Sequence, residues 1–286
     1  MRRRVLAPGH HDLVVFGAAR TVGWVVRNAP ALAVTLLLLV TSVASALAAE
    51  IEPDRPELTE SARLVPRGVV QLEAGLEYSR ERQGGQPAEK TFASEANLRI
   101  GLGRDVELNL GWQPLVRVQG SQDDTGVGDV TLGVRFRFVE GFEDVLWPPH
   151  VAVKVFAKLP AAGEPIGTGR PDFGALLLGS FELPYDFELE VNLGAAAIGQ
   201  TQPNGYLAEG IATASLSRDL TSSLLGFLEL LFNTRDERGG RGQFAINAGL
   251  VHRLTSRVAI DAGVQTSLIG QGPDVVVRTG VSVLWR

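Results

Sequence analysis

Apolar and polar side chains alternate along most of this chain with a period of two. Val70-Gln71-Leu72-Glu73-Ala74-Gly75-Leu76-Glu77-Tyr78 and Val106-Glu107-Leu108-Asn109-Leu110-Gly111-Trp112 are the clearest copies. A strand with this period shows its apolar residues on one face and its polar residues on the other. The pattern recurs about twelve times, over 67–81, 90–103, 105–119, 126–139, 149–160, 171–183, 186–199, 205–218, 221–234, 241–254, 257–269 and 274–286. Two architectures use such strands. A soluble sandwich buries the apolar faces in a core, whereas an outer-membrane barrel turns them to lipid and lines its lumen with the polar faces. The alternation alone leaves both open.

The connections favour the barrel. An even strand number closes a barrel with both termini on the periplasmic side, where turns are short, and leaves the longer loops outside. Tight turns are expected at Gly103-Arg104-Asp105, Pro184-Tyr185-Asp186, Arg218-Asp219-Leu220 and Thr255-Ser256, with a longer periplasmic connection over 141–148. External loops fall at 82–89, 120–125, 161–170, 200–204, 235–240 and 270–273, rich in Gly, Pro, Asp, Gln and Arg. Tyr78, Phe92, Phe173, Tyr206, Phe232 and Phe244 sit at external strand ends, and Phe138, Phe181, Phe187 and Trp285 at periplasmic ends. Two such belts are what barrels place at the membrane interfaces. The sequence therefore predicts an all-β fold, a transmembrane outer-membrane antiparallel β-barrel of about 12 strands over 67–286.

Composition adds the route to the membrane. Arg2, Arg3, Arg4, Arg20 and Arg27 precede an apolar run from Ala31 to Val40 and small residues ending Ala46-Leu47-Ala48. That order is a secretory signal, placed over 1–48 and implying export to the bacterial outer membrane. The stretch before the apolar run is long for such a signal and the chain has a single methionine, so a start at Val25 or Val26 is the alternative reading. Residues 49–66, rich in proline and charge and without periodicity, are expected to form an arm in the periplasm or the lumen. Removing 1–48 leaves 22 basic and 31 acidic residues, a net charge of −9, which argues against a nucleic-acid partner. With no cysteine, the exported chain has neither a disulfide framework nor thiolate metal ligands.

The last strand, Val275 to Trp285, carries Val275, Val277, Val281, Val283 and Trp285 on one face. A terminal strand with an aromatic at its end resembles the signal read by the outer-membrane assembly machinery, here extended by Arg286. Outer-membrane lipid and lipopolysaccharide are the other expected partners.

Two segments resemble a known family. Asp54-Arg55-Pro56-Glu57-Leu58-Thr59-Glu60-Ser61, followed by Val65-Pro66-Arg67-Gly68 and Gln71-Leu72-Glu73-Ala74-Gly75, is similar to the opening of the outer-membrane transporters labelled the MetA-pathway of phenol degradation family. Lys158-Leu159-Pro160, the glycine-rich stretch Gly163 to Gly169 and Asp172 resemble that family's middle motif. The resemblance covers roughly 51–286 and implies an outer-membrane barrel that passes small, aromatic or hydrophobic compounds.

The face opposite the apolar one holds the candidate lumen-lining residues Glu73, Glu77, Glu95, Arg99, Glu107, Asn109, Arg135, Arg137, Lys154, Lys158, Glu188, Glu190, Glu229, Asp261 and Arg278. Asn97, Asn192, Glu209, Asn247, Arg253 and Gln265 share that face. Charges of both signs inside a barrel either pair, which fills and stiffens it, or stay hydrated and form charged walls along a path. Inward glycines such as Gly75, Gly111, Gly133, Gly194, Gly249, Gly263 and Gly280 either make room for a large neighbour or relieve curvature.

Catalytic readings are weak. The mature chain has only His150 and His252, both near predicted periplasmic turns, without a nucleophile paired to either. Asp123-Asp124 reads as a solvated external pair, and Glu188 and Glu190 follow strand parity. Gly126-Val127-Gly128-Asp129 and Gly167-Thr168-Gly169 lack the helix that phosphate binding requires and read as turns. No enzyme activity, cofactor or metal is expected. A passive channel or transporter for small compounds competes with a structural or adhesive barrel, and more distantly with a soluble periplasmic β protein.

Overall fold

A computed structural model of the chain describes residues 50–82, 87–121, 123–142, 146–201 and 203–286. The expected signal peptide over 1–48 lies outside the described residues, as do 83–86 and 143–145 within two of the expected connections.

Thirteen strand segments follow one another: β1 (Val70–Glu81), β2 (Glu89–Gly101), β3 (Val106–Gln119), β4 (Asp124–Gly126), β5 (Val130–Val139), β6 (His150–Leu159), β7 (Asp172–Leu183), β8 (Phe187–Thr201), β9 (Asn204–Thr221), β10 (Leu224–Asn233), β11 (Gln243–Thr255), β12 (Val258–Gly270) and β13 (Val275–Trp285). Short β4 and longer β5 pair with the upper and lower parts of β3, so they are two pieces of one stave in a twelve-stave wall. Every neighbouring pair is antiparallel, and β1 pairs with both β2 and β13, from Val70 opposite Trp285 to Arg80 opposite Val275. That last pairing closes the barrel, which is how strands can span a membrane.

The period-two pattern decides which face looks where. On β1, Leu76 and Tyr78 are exposed on the outside, whereas Gln71 and Glu73 are buried inside. Phe92, Phe173, Tyr206 and Phe232 are exposed near the ends that carry the longer loops, and the rings of Phe173 and Tyr206 lie 6.2 Å apart, tilted by 47°. Phe138 is exposed near the opposite end. We call these the loop end and the turn end; in outer-membrane barrels the short-turn end faces the periplasm.

The turn end departs from expectation most clearly after β9. The turn expected at Arg218-Asp219-Leu220 lies instead at 222–223, because β9 continues through Thr221. The Thr221 hydroxyl accepts the N–H groups of Ser223 and Leu224, which fixes the reversal three residues later. At 184–186 the expected turn is present, with Tyr185 and Asp186 both at positive φ, the twist that matches a tight hairpin.

The fourth stave also differs from the continuous strand expected over 126–139. Residues 127–129 leave the ladder, and β3 carries one extra residue near Pro114, since Ser94 faces Leu115 while Ala96 faces Trp112. Proline has no N–H to give a ladder, so the bulge forms there. It switches side-chain parity: Asn109 points inward below it, whereas Val116 and Val118 are buried inward above it.

Leu76 is 46% exposed on the outer wall at mid-height of β1. Leu76→Arg is expected to destabilise the folded barrel by about 2–4 kcal/mol through the cost of a charge at the bilayer midplane. Urea titration of the protein folded into liposomes checks this, and an unchanged midpoint would place that face away from lipid.

Candidate functional site

The lumen is the place where this chain concentrates its chemistry, and the arm before β1 fills the middle of it. Residues 50–69 begin at the turn end, where the Ile51 N–H bonds the Ser256 carbonyl at 2.9 Å. They return to the same end, where the Gly68 N–H bonds the Gly101 carbonyl at 2.8 Å. The arm is thus a re-entrant loop whose tip, near 55–60, reaches into the barrel. Proline and charge explain why it forms no strand: Pro53 and Pro56 cannot donate to a ladder, and its carboxylates and arginines find partners on the wall.

Near the turn end the arm is held by apolar contacts. Ile51 and Val65 cluster with Val69, Val251, Ala259 and Leu284, and Ala62 packs with Ala152, Leu176 and Leu178. Higher up, charge takes over. Arg99 bonds Glu107 through Nε at 2.9 Å and reaches Asp54 of the arm at 3.2 Å and Glu73 at 3.3 Å. Arg135 lies 2.5 Å from both Asp54 and Glu60 and 3.7 Å from Glu107. Lys154 pairs with Glu60. Glu107 also accepts the Val65 N–H at 2.6 Å and the Asn109 amide at 2.7 Å. Arg99, Arg135, Glu73 and Glu107 are almost fully buried, and no arrangement other than close pairing would hold four such charges there. Burial alone would raise the Asp54 carboxyl, but the Arg135 and Arg99 guanidiniums outweigh it and hold the group at about 2. This contribution to arm docking is complete above the ordinary aspartate range and is lost only as the pH falls towards that value.

The rest of the tip is bound by polar wall groups. Glu229 accepts the N–H of Leu58 at 2.9 Å, the hydroxyl of Thr59 at 2.6 Å and the Asn247 amide at 2.7 Å. Asn192 both accepts the Glu60 N–H and donates to its carbonyl, at 2.7 and 2.8 Å. Arg55 bonds Glu95 at 2.7 Å and stands 3.6 Å from Asp261. Gly75 and Gly280, opposite each other on β1 and β13, explain how that guanidinium fits. A side chain at Gly280 would meet Arg55 Nε at 2.7 Å, and one at Gly75 would fall on its guanidinium. At Gly263 it would press on Pro56 at 3.2 Å. These three glycines make room for the arm.

Other candidate residues lie apart from that centre. Arg278 pairs with Glu77 at 2.8 Å on the wall beside it. Arg63 of the arm meets Glu188, and Glu182 at 2.8 Å, nearer the turn end, while Ser180 hydrogen-bonds Glu190 at 3.3 Å. Arg137 stays at the turn-end rim with Asp105 and Glu140, at 3.0 and 3.1 Å. Lys158 sits towards the loop end, 2.6 Å from Asp172 and 3.3 Å from Asp129.

Sequence reasoning did not single out Asp129, which it left within a turn. Its carboxylate accepts the N–H groups of Ala161 and Ala162 at 2.9 and 3.0 Å, tying the loop after β6 to the wall. Ile166 of that loop then packs on the inward Ala93, Val116 and Val118. An aspartate just after a glycine-broken stave was the available signal. His150 and His252 are tied to turn-end backbone, accepting the Gly141 N–H at 3.2 Å and lying 3.1 Å from the Ser223 carbonyl. Among the described residues, no group of three or more His, Asp or Glu side chains is placed to hold a metal ion.

Two chambers flank the arm. One of about 700 Å³, towards the loop end, is bounded by the arm tip, the inner wall around Asn97 and Thr131, and the loop residues Glu164 to Thr168. The other, of about 630 Å³, opens at the turn end between the arm and Glu182, Glu188 and Glu190.

The profile of a protein family described as "Putative MetA-pathway of phenol degradation" matches residues 53–285. No curated protein sequence matches the chain. Among solved structures, an outer membrane channel from Pseudomonas putida F1 superposes with a TM-score of 0.64 at 11% identity, over 82% of this chain and 100% of that one. The NanC porin does so with a TM-score of 0.53 at 9% identity, over 74% of this chain and 98% of that one. Identities this low make the likeness one of fold.

Removing the Arg135 side chain leaves Asp54, Glu60 and Glu107 each short of a counter-charge. Arg135→Ala is expected to destabilise the docked arm by about 3–5 kcal/mol. Limited proteolysis of the folded protein should then cut within 50–66 at protease levels that leave the unaltered chain intact.

Proposed function

Because this chain belongs to the MetA-pathway of phenol degradation family, we propose that it is an outer-membrane channel that passes small aromatic or hydrophobic compounds by diffusion. The observation that carries this reading is the lumen itself. Chambers of about 700 and 630 Å³ open on either side of an arm that blocks the barrel without being part of its wall. Each chamber is large enough for a compound of one or two rings. A barrel whose only purpose was rigidity would have no need of space at both ends. The family description supports aromatic cargo, and the inward Val116, Val118 and Ile166 give the outer chamber's neighbourhood an apolar surface for a ring.

The arm's dense pairing favours a second reading, a barrel stiffened from within and closed throughout. Deleting residues 50–66 separates the two. In planar bilayers the full chain is expected to show low conductance and the deleted form a several-fold larger one. A deleted barrel that folds, as read by heat-modifiable gel migration, and stays shut would establish the structural role instead.

A further inference from the structure

The two chambers share one lining side chain. Among the described residues, Glu57 alone lines both the outer chamber and the turn-end chamber, which places this residue at the seam between them. It lies at the arm tip, where the loop crosses the lumen. Its Oε1 accepts the Ser215 hydroxyl from β9 at 2.6 Å. The charged groups that act on it most strongly are acidic: Glu190 from β8, Glu229 from β10 and Asp54 from the arm. The cations nearby are engaged elsewhere, Arg135 with Asp54 and Glu60, Lys154 with Glu60, and Arg63 with Glu182 and Glu188. Glu57 is thus an arm carboxyl set among other acids with a hydroxyl as its partner.

We propose that Glu57 gates the passage between the two chambers: neutral and bonded to Ser215 it seals the seam, and ionised it opens a path that favours cations. The inference rests on reading the barrel as a channel. Burial, with the like charges of Glu190, Glu229 and Asp54, pushes the Glu57 carboxyl well above the ordinary glutamate range. The sign follows directly. A raised acid is neutral below its shifted value, so the sealed form is favoured at low pH and loses ground as the pH rises through that value. The anion cannot stay dry beside two further carboxylates, and the water it draws in joins the chambers. With Glu190 and Glu229 it then presents a negative constriction.

Full-length protein in planar bilayers under a potassium chloride gradient tests this. From mildly acid to mildly alkaline pH, the conductance should rise several-fold and the reversal potential should move towards cation preference. Glu57→Gln keeps a hydrogen bond to Ser215 but cannot ionise, and should hold the low conductance at every pH. Glu57→Ala removes the seal and should conduct at the higher level throughout, without the added cation preference. Wild type and Glu57→Gln sharing one pH profile would overturn the gate and leave the channel standing. So would a full chain shut at every pH, with Glu57→Ala equally shut, if the barrel lacking 50–66 conducts. A folded barrel that stays shut even without the arm would overturn the channel itself.

Discussion

A charge cut off from water must find its opposite, and the interior of this barrel is arranged around that demand. Arg99, Arg135 and Lys154 project from the wall, but among the described residues the wall sets only Glu73 and Glu107 against them. Asp54 and Glu60 of the arm supply what is missing. The arm is therefore needed electrostatically by the wall that surrounds it, and the wall in turn gives an otherwise aperiodic segment its fixed course. Apolar contacts at Ile51, Ala62 and Val65 anchor the two limbs, while charges orient the tip. The division suits the chemistry, since directional ion pairs fix geometry where nondirectional apolar burial would not.

The wall was legible in the sequence because a β-barrel obeys a local rule. Glu73, Arg99, Glu107 and Arg135 can be assigned to the inner face from parity alone, with no knowledge of the partner strand. What parity cannot supply is pairing. Arg135 meets acids 81 and 75 positions earlier in the chain, and no local pattern carries such a relation. The arm had no period to read, so its place in the lumen stood open beside a place in the periplasm. The ambiguity of Gly75, Gly263 and Gly280 has the same source: whether a strand glycine relieves curvature or yields space depends on what lies across from it, here Arg55 and Pro56.

Local chemistry caused the misses within the wall. The reversal after β9 falls at 222–223 because the Thr221 hydroxyl captures two amides, a side-chain event that competes with the more polar Arg218-Asp219 pair as a turn signal. Pro114 and the extra residue beside it invert the faces of upper β3 and bring Val116 and Val118 inside. One bulge thereby places an apolar patch in the lumen towards the loop end, and the loop held by Asp129 lays Ile166 across it. The phosphate-like glycine pattern at 126–129 turns out to be the break that lets Asp129 reach that loop.

Both limbs of the arm start and finish at the same rim, and this bears on the order in which the molecule can be put together. A segment that entered at one end and left by the other would have to be threaded before β1 and β13 joined, and every error in threading would be locked in by closure. A finger pushed in and withdrawn through a single opening carries no such constraint. The staves can zip shut around water first, and the finger can seat afterwards as its acids displace that water from Arg99 and Arg135. The last step of assembly and the first step of unplugging are then one motion run in opposite directions, with no hydrogen bond between neighbouring staves broken in either.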